Sequence, residues 1–221
     1  MGSDDLFHKR KAKSAKNLRR KRAKRSPYER ILIVCEGEKT EPNYFKEIVR
    51  VYELNTANIV IDGKCGSSPM SVFEYAESLW DVEDAKGDSY DRVYCVFDKD
   101  SHETYGKALN MIRGKKPENT FFAANSVPCF EYWFLLHFTY TTKPHFSAGN
   151  ASSADSVIKD LKQYMPDYSK GNEGIFSILF NRLKFAKENA EKSLICSSQN
   201  GTDNPSTTVH KLVDYLENLK S

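Results

Sequence analysis

From residue 31 the chain alternates short, wholly apolar runs with longer stretches in which apolar residues recur every three or four positions. ILIVC (31–35) is too short for a helix and apolar throughout, so it predicts a strand buried on both faces. Thr40 is placed to cap the helix that follows, with Pro42 in its first turn. Tyr44, Phe45, Ile48, Val49 and Tyr52 then fall on one helical face. Asn58–Ile61 predicts a second strand, and Ser68-Pro69 opens a second helix through Val72, Phe73, Ala76, Leu79 and Trp80. Val93–Phe97 predicts a third strand, His102–Arg113 a helix and Thr120–Ala123 a fourth strand. Strands alternating with helices imply parallel pairing and right-handed crossovers, hence an α/β fold with helices on both faces of a sheet. CFEYWFLLHF (129–138), apolar nearly all round, predicts a buried helix. After a polar loop over 140–153, helices are expected at Ala154–Met165, Ile175–Glu191 and Thr207–Leu219.

Charge divides the chain differently. Residues 9–25 hold eleven Lys and Arg and no acid. Setting those aside, with Asp4 and Asp5, leaves 22 basic and 28 acidic residues in 26–221, a net charge of −6. The basic character therefore belongs to one arm, 1–26, too poor in large apolar residues to offset its ordering entropy and expected to be disordered alone. Each Lys or Arg that neutralises a phosphate releases a counterion, so Lys9, Arg10, Lys11, Arg19, Arg20, Lys21, Arg22, Lys24 and Arg25 are candidate nucleic-acid contacts. The competing reading is a solvated tail. Five cysteines, with no C-x-x-C pair, point to reduced thiols in the cytoplasm rather than disulfides or zinc. No apolar run approaches the ~20 residues that span a bilayer, and no signal-peptide pattern opens the sequence, so no membrane association is expected.

The candidate chemistry sits where two expected strands end. ILIVC runs into Glu36-Gly37, and VYCVF into Asp98-Lys99-Asp100. In open parallel sheets, ligands bind outside the carboxyl ends of strands. Glu36, Asp98 and Asp100 would converge there, and carboxylates so close repel unless a cation lies between them. Oxygen-only ligands suit Mg²⁺ or Mn²⁺. Asp and Gly also end strands simply as turn residues; the paired occurrence, in this order and after two buried runs, favours the metal site.

Strand-Glu-Gly followed by strand-Asp-x-Asp resembles the Toprim signature. ILIVCEGEKTEPNYF (31–45), VFDKD (96–100), SVPCFEYWFLLHF (126–138) and NPSTTVHKLVDYL (204–216) are together similar to the RloB family of defence proteins. One departure is Ser126-Val127-Pro128, where that family's pattern has Asn-Pro. The resemblance implies one Toprim-type domain over 27–221, with a core at 27–125 and a helical extension at 126–221. It implies metal-dependent phosphodiester cleavage in antiviral abortive infection, on RNA in preference to DNA. It makes Glu36 a metal ligand or general acid–base, Asp98 and Asp100 metal ligands, and Glu41 a second-metal carboxylate. It also suggests an AAA- or ABC-type ATPase partner and leaves an oligomer open.

Accessory candidates carry two readings each. Glu131, among four aromatic residues, is an accessory ligand or a helix-start acid satisfied by free N–H groups. Lys99 would steady a substrate phosphate, or point away as strand neighbours do. Gly66–Pro69 is a phosphate cradle or a capped turn. His102 is read as a polar surface residue, and Lys184, Lys187 and Lys192 as a solvated face or a nucleic-acid track. Besides a nuclease, two functions stay open: a non-catalytic nucleic-acid-binding or ATPase-partnered subunit, and another Toprim chemistry such as primer synthesis or strand transfer.

Overall fold

The computed structural model describes residues 29–100 and 102–219; the basic arm, 1–26, lies outside the described residues. The first strand, β1 (Ile31–Cys35), is buried at all five positions. The pleat sends Ile31, Ile33 and Cys35 to one face and Leu32 and Val34 to the other, and each set enters a separate apolar core. An uninterrupted apolar run is what a strand covered on both faces requires. β1 pairs in parallel with β2 (Ile59–Asp62) on one side and β3 (Arg92–Asp98) on the other. β4 (Phe121–Val127) follows in parallel, and β5 (Ser206–Thr207) closes that edge antiparallel, giving the order β2-β1-β3-β4-β5.

One face of the sheet is covered by α2 (Pro69–Lys86) and α3 (Tyr105–Gly114), through Val72, Phe73, Ala76 and Ile112. The other is covered by α1 (Thr40–Val51) with Tyr44, Phe45 and Ile48, by the short α4 (Glu131–Leu135), and by elements from the C-terminal third. Those are α5 (Ser153–Leu161), α6 (Ile175–Leu179), a 3₁₀ turn (Phe180–Arg182), α7 (Leu183–Asn200) and α8 (Val209–Asn218). The fold is α/β, as expected.

Local signals and contacts together set the boundaries. Ser68 caps α2: its hydroxyl accepts from the Ser71 amide at 3.1 Å, Pro69 follows, and Gly87 ends the helix at φ 79°. Gly66–Pro69 is thus a capped turn. Thr40 does not cap α1; the position before the helix is Lys39, and the Thr40 hydroxyl accepts instead from the Gly171 amide at 3.0 Å. β4 runs to Val127, beyond the apolar stretch, because Asn125 and Ser126 are satisfied by the Thr207-Thr208 segment. The helix expected over 175–191 is divided, with Glu47 of α1 accepting from the Phe176 amide and Ser177 hydroxyl at 2.8 and 2.6 Å. No helix among the described residues is long and apolar enough to cross a membrane, and all five cysteines are free.

Candidate functional site

β1 and β3 end side by side at the C-terminal edge of the sheet. The Glu36 amide donates to the Val96 carbonyl at 2.9 Å, which extends the ladder one residue past β1. Its carboxyl then turns back, and Oε2 accepts from the Asp98 amide at 3.0 Å. His102 Nε2 lies 3.3 Å from the other oxygen, Oε1.

The chain next turns through Gly37 into α1, which brings Glu41 back over the same edge. A Cβ on residue 37 would lie 2.3 Å from Glu41 Oε2, so only glycine leaves room for that carboxyl. Gly63, after β2, is held as tightly: a Cβ there would meet the Gly37 carbonyl oxygen at 2.5 Å. From the opposite side α4 presents Glu131, which is buried. Tyr168 donates its hydroxyl to Glu131 Oε1 at 3.0 Å, and Lys170 Nζ lies 3.9 Å from the same oxygen. The loop carrying both is fastened to α1: the Gly171 amide reaches Thr40, and Asn43 Nδ2 donates to the Gly171 carbonyl at 3.1 Å. Together these residues enclose a cleft of about 270 Å³, lined by Glu41, Asp98, Glu131 and Lys170 with the Gly37–Thr40 turn.

Electrostatically the cleft is loaded with acid. Burial first, then repulsion from Glu131 and Glu36, pushes Glu41 up to about 7. Asp98 keeps some accessible surface at the cleft yet is densely enclosed; burial, then Glu41, Glu131 and Glu36, holds it well above the carboxylate range. Burial also raises Glu36, against the Asp98 amide and His102, which favour its charged form. For the largely exposed Lys170, attraction to Glu131 and the other acids outweighs partial burial and keeps the ammonium above its ordinary value.

Of the acids singled out in the sequence, Glu36, Glu41, Asp98 and Glu131 come together, whereas Asp100 does not. It turns away at φ 33°, its amide donating to the Pro128 carbonyl at 3.2 Å and its carboxylate accepting from Ser153 at 3.4 Å. Asp100 is close enough only to add a small repulsion to Glu36. Lys99 points away from the acids, its ammonium 2.6 Å from Asp203. Lys187 is engaged by Asp214 and Glu217 at 2.8 and 2.6 Å, while Lys184 and Lys192 are exposed. Three contributors escaped the sequence reading. His102 looked like a surface residue. Tyr168 and Lys170 sit in a polar loop some 130 positions after Glu36, with only the turn at Gly171 to draw notice.

Among the described residues, no three His, Cys, Asp or Glu side chains are already gathered as a metal-holding set. What fits a hard divalent cation is the donor chemistry: oxygen only, several carboxyls raised by one another, and a glycine cradle that aims Glu41 inward.

A family model described as RloB-like protein matches residues 31–216. No curated protein and no solved structure matches the chain.

Proposed function

The chain belongs to the RloB-like family, and on that footing we propose that it is a divalent-metal-dependent endonuclease whose centre is the acidic cleft at the ends of β1 and β3. The observation that carries this reading is the convergence of Glu41, Asp98 and Glu131 on one small cleft, with Glu36 bonded to the Asp98 amide behind them. Acids that raise one another's pKa are costly to keep unless a cation or a proton serves them.

Glu36, Asp98 and Glu41 would hold Mg²⁺ or Mn²⁺, which supplies charge neutralisation on the phosphodiester and a more acidic bound water. The chain's own groups do the rest. Glu41, at about 7, holds a proton when the cleft is empty and releases it near neutral pH. His102 orients and polarises the Glu36 carboxyl through Oε1. Lys170 brings an ammonium to the mouth of the cleft, where a phosphate oxygen is its natural acceptor. Tyr168 and Lys170 hold Glu131 in place from the far side. Asp100, the second acid of the Asp-x-Asp pair, stands outside this set as the side chains lie.

The proposal extends to a cytoplasmic antiviral role by abortive infection, with RNA favoured over DNA as substrate, the basic arm as a nucleic-acid contact and an AAA- or ABC-type ATPase as partner. The test is incubation of the purified chain with total RNA and with plasmid DNA, in Mg²⁺, Mn²⁺ or EDTA. Cleavage that requires metal and is lost in E36Q and D98N supports the reading. Metal-independent cleavage, or wild-type rates in either variant, would overturn it. Binding without cleavage in any metal would identify a non-catalytic nucleic-acid-binding subunit instead.

A further inference from the structure

Immediately past Asp98 the chain opens onto a second cleft, of about 370 Å³, on the other side of the β3 terminus. Lys99, Asp100, Pro128, Phe146, Ser153 and Asp203 line it. Phe146 is 69% exposed, the most exposed large hydrophobic side chain among the described residues. A lone exposed apolar residue needs no explanation. This one, however, is held in place from both sides.

Before it, the His145 amide donates to Asn204 Oδ1 at 3.2 Å, and Asn204 Nδ2 donates back to the His145 carbonyl at 2.7 Å. The buried His145 ring bonds Ser156 through Nδ1 at 3.0 Å. After it, Ala148 and Ala151 exchange two backbone bonds at 3.0 and 3.1 Å. These bonds fasten the backbone on either side of Phe146, whose ring is left open to solvent. Lining the same cleft are polar groups with hydrogen-bonding capacity: the Lys99–Asp203 pair, the Ser153 hydroxyl and the second oxygen of Asp100.

We propose that this cleft takes an unpaired nucleobase, stacked on Phe146, beside the phosphodiester held in the acidic cleft. The proposal rests on the nuclease reading for what lies next door. An aromatic face flanked by polar side chains is how single-stranded nucleic acid is held: every base has a face to stack and an edge to bond. The two clefts flank one turn of chain, since Asp98 lines the first and Asp100, two residues on, lines the second.

The experiment uses the full chain in EDTA, so that cleavage is off, with a short single-stranded RNA carrying 2-aminopurine and the same RNA annealed to its complement. The wild type is expected to quench the 2-aminopurine of the single strand. F146A should bind that strand about tenfold more weakly and lose the quenching, while F146W restores both. Phe146 is exposed, so F146A should keep the wild-type melting temperature. Equal affinity and quenching in F146A would overturn the proposal, as would equal quenching of the duplex. Because binding is read without metal, wild-type cleavage by E36Q or D98N, or no cleavage by the wild type in any metal, refutes the nuclease reading and leaves this result standing. Conversely, Phe146-independent binding by a chain that does cleave refutes this cleft alone.

Discussion

The Asp98 amide donates to Glu36 Oε2 at 3.0 Å, so the acid ending one strand is tied to the backbone beneath the acid ending its neighbour. The bond fixes the Glu36 carboxyl but does nothing for that of Asp98, which stays crowded by Glu41 and Glu131. Removing the Asp98 charge should therefore stabilise the metal-free protein. In D98N the side-chain carbonyl still accepts from the Phe130 amide, and the repulsion is gone. We expect its melting temperature at pH 8 to exceed the wild type's by about 2–4 °C, the shift that ~1 kcal/mol gives at this size. Mg²⁺ or Mn²⁺ at ~100 times Kd should stabilise the wild type by ~2.7 kcal/mol and D98N far less. Calorimetry with and without metal decides; equal metal shifts would remove Asp98 from the site.

Stability should also fall with pH where Glu41 titrates. Its folded-state pKa, about 7, lies above its ordinary 4.5, so the unfolded chain gives up the proton first. The contribution from this group is complete below about 4.5 and is lost as pH rises through about 7. Buried His137, pushed down to about 4, works in the opposite sense as pH rises toward its ordinary 6.5. The informative quantity is thus the difference between wild type and E41Q. Melting temperatures from pH 5 to pH 8 should decline more steeply in the wild type, and saturating metal should flatten that decline. Parallel curves would show that Glu41 ionises as an ordinary carboxylate.

Gly37 and Gly63 should respond differently to alanine. A Cβ at 37 meets the end of the Glu41 side chain, which can swing away. G37A should keep the wild-type melting temperature within about 2 °C and weaken metal binding about 10- to 100-fold, as losing an oriented ligand does. A Cβ at 63 meets the Gly37 carbonyl, which cannot move alone. G63A should cost about 1–3 kcal/mol of stability. Metal titration followed by calorimetry separates the two; unchanged metal affinity in G37A would show that the glycine serves only the turn.

Deleting residues 1–26 should weaken nucleic-acid binding and flatten its salt dependence, because the rest of the chain is net negative. Were about five of the eleven basic residues to engage a strand, the slope of log K against log salt would drop by roughly three to four units. Turnover on saturating substrate should survive, since Glu36, Asp98 and Glu41, the proposed metal ligands, all lie outside the deleted segment. An unchanged slope would assign the arm to a tail or a protein contact.

Much of this was determined by the sequence alone, for a local reason. A five-residue apolar run bounded by turn residues has one stable use in a soluble domain, a strand covered on both faces. Two such runs ending in acids therefore predicted both the layered α/β fold and the edge where Glu36 and Asp98 meet. The glycine after Glu36 and the helix carrying Glu41 belong to the same short-range code. What only the tertiary structure decided depends on chain returning from far away. The two-residue β5 has no periodicity to detect; it exists because Thr207 and Thr208 satisfy Ser126 and Asn125. Asp100, two positions from Asp98, was expected beside it, yet its positive φ and the Pro128 carbonyl turn it toward another cleft. Its place opposite Asp98 is taken by Glu131, held by Tyr168 and Lys170 on a loop that α1 pins through Thr40 and Asn43. Spacing along the chain carries no record of such contacts. They arise because a buried carboxyl must find a partner, and the packing of the whole domain chooses which one.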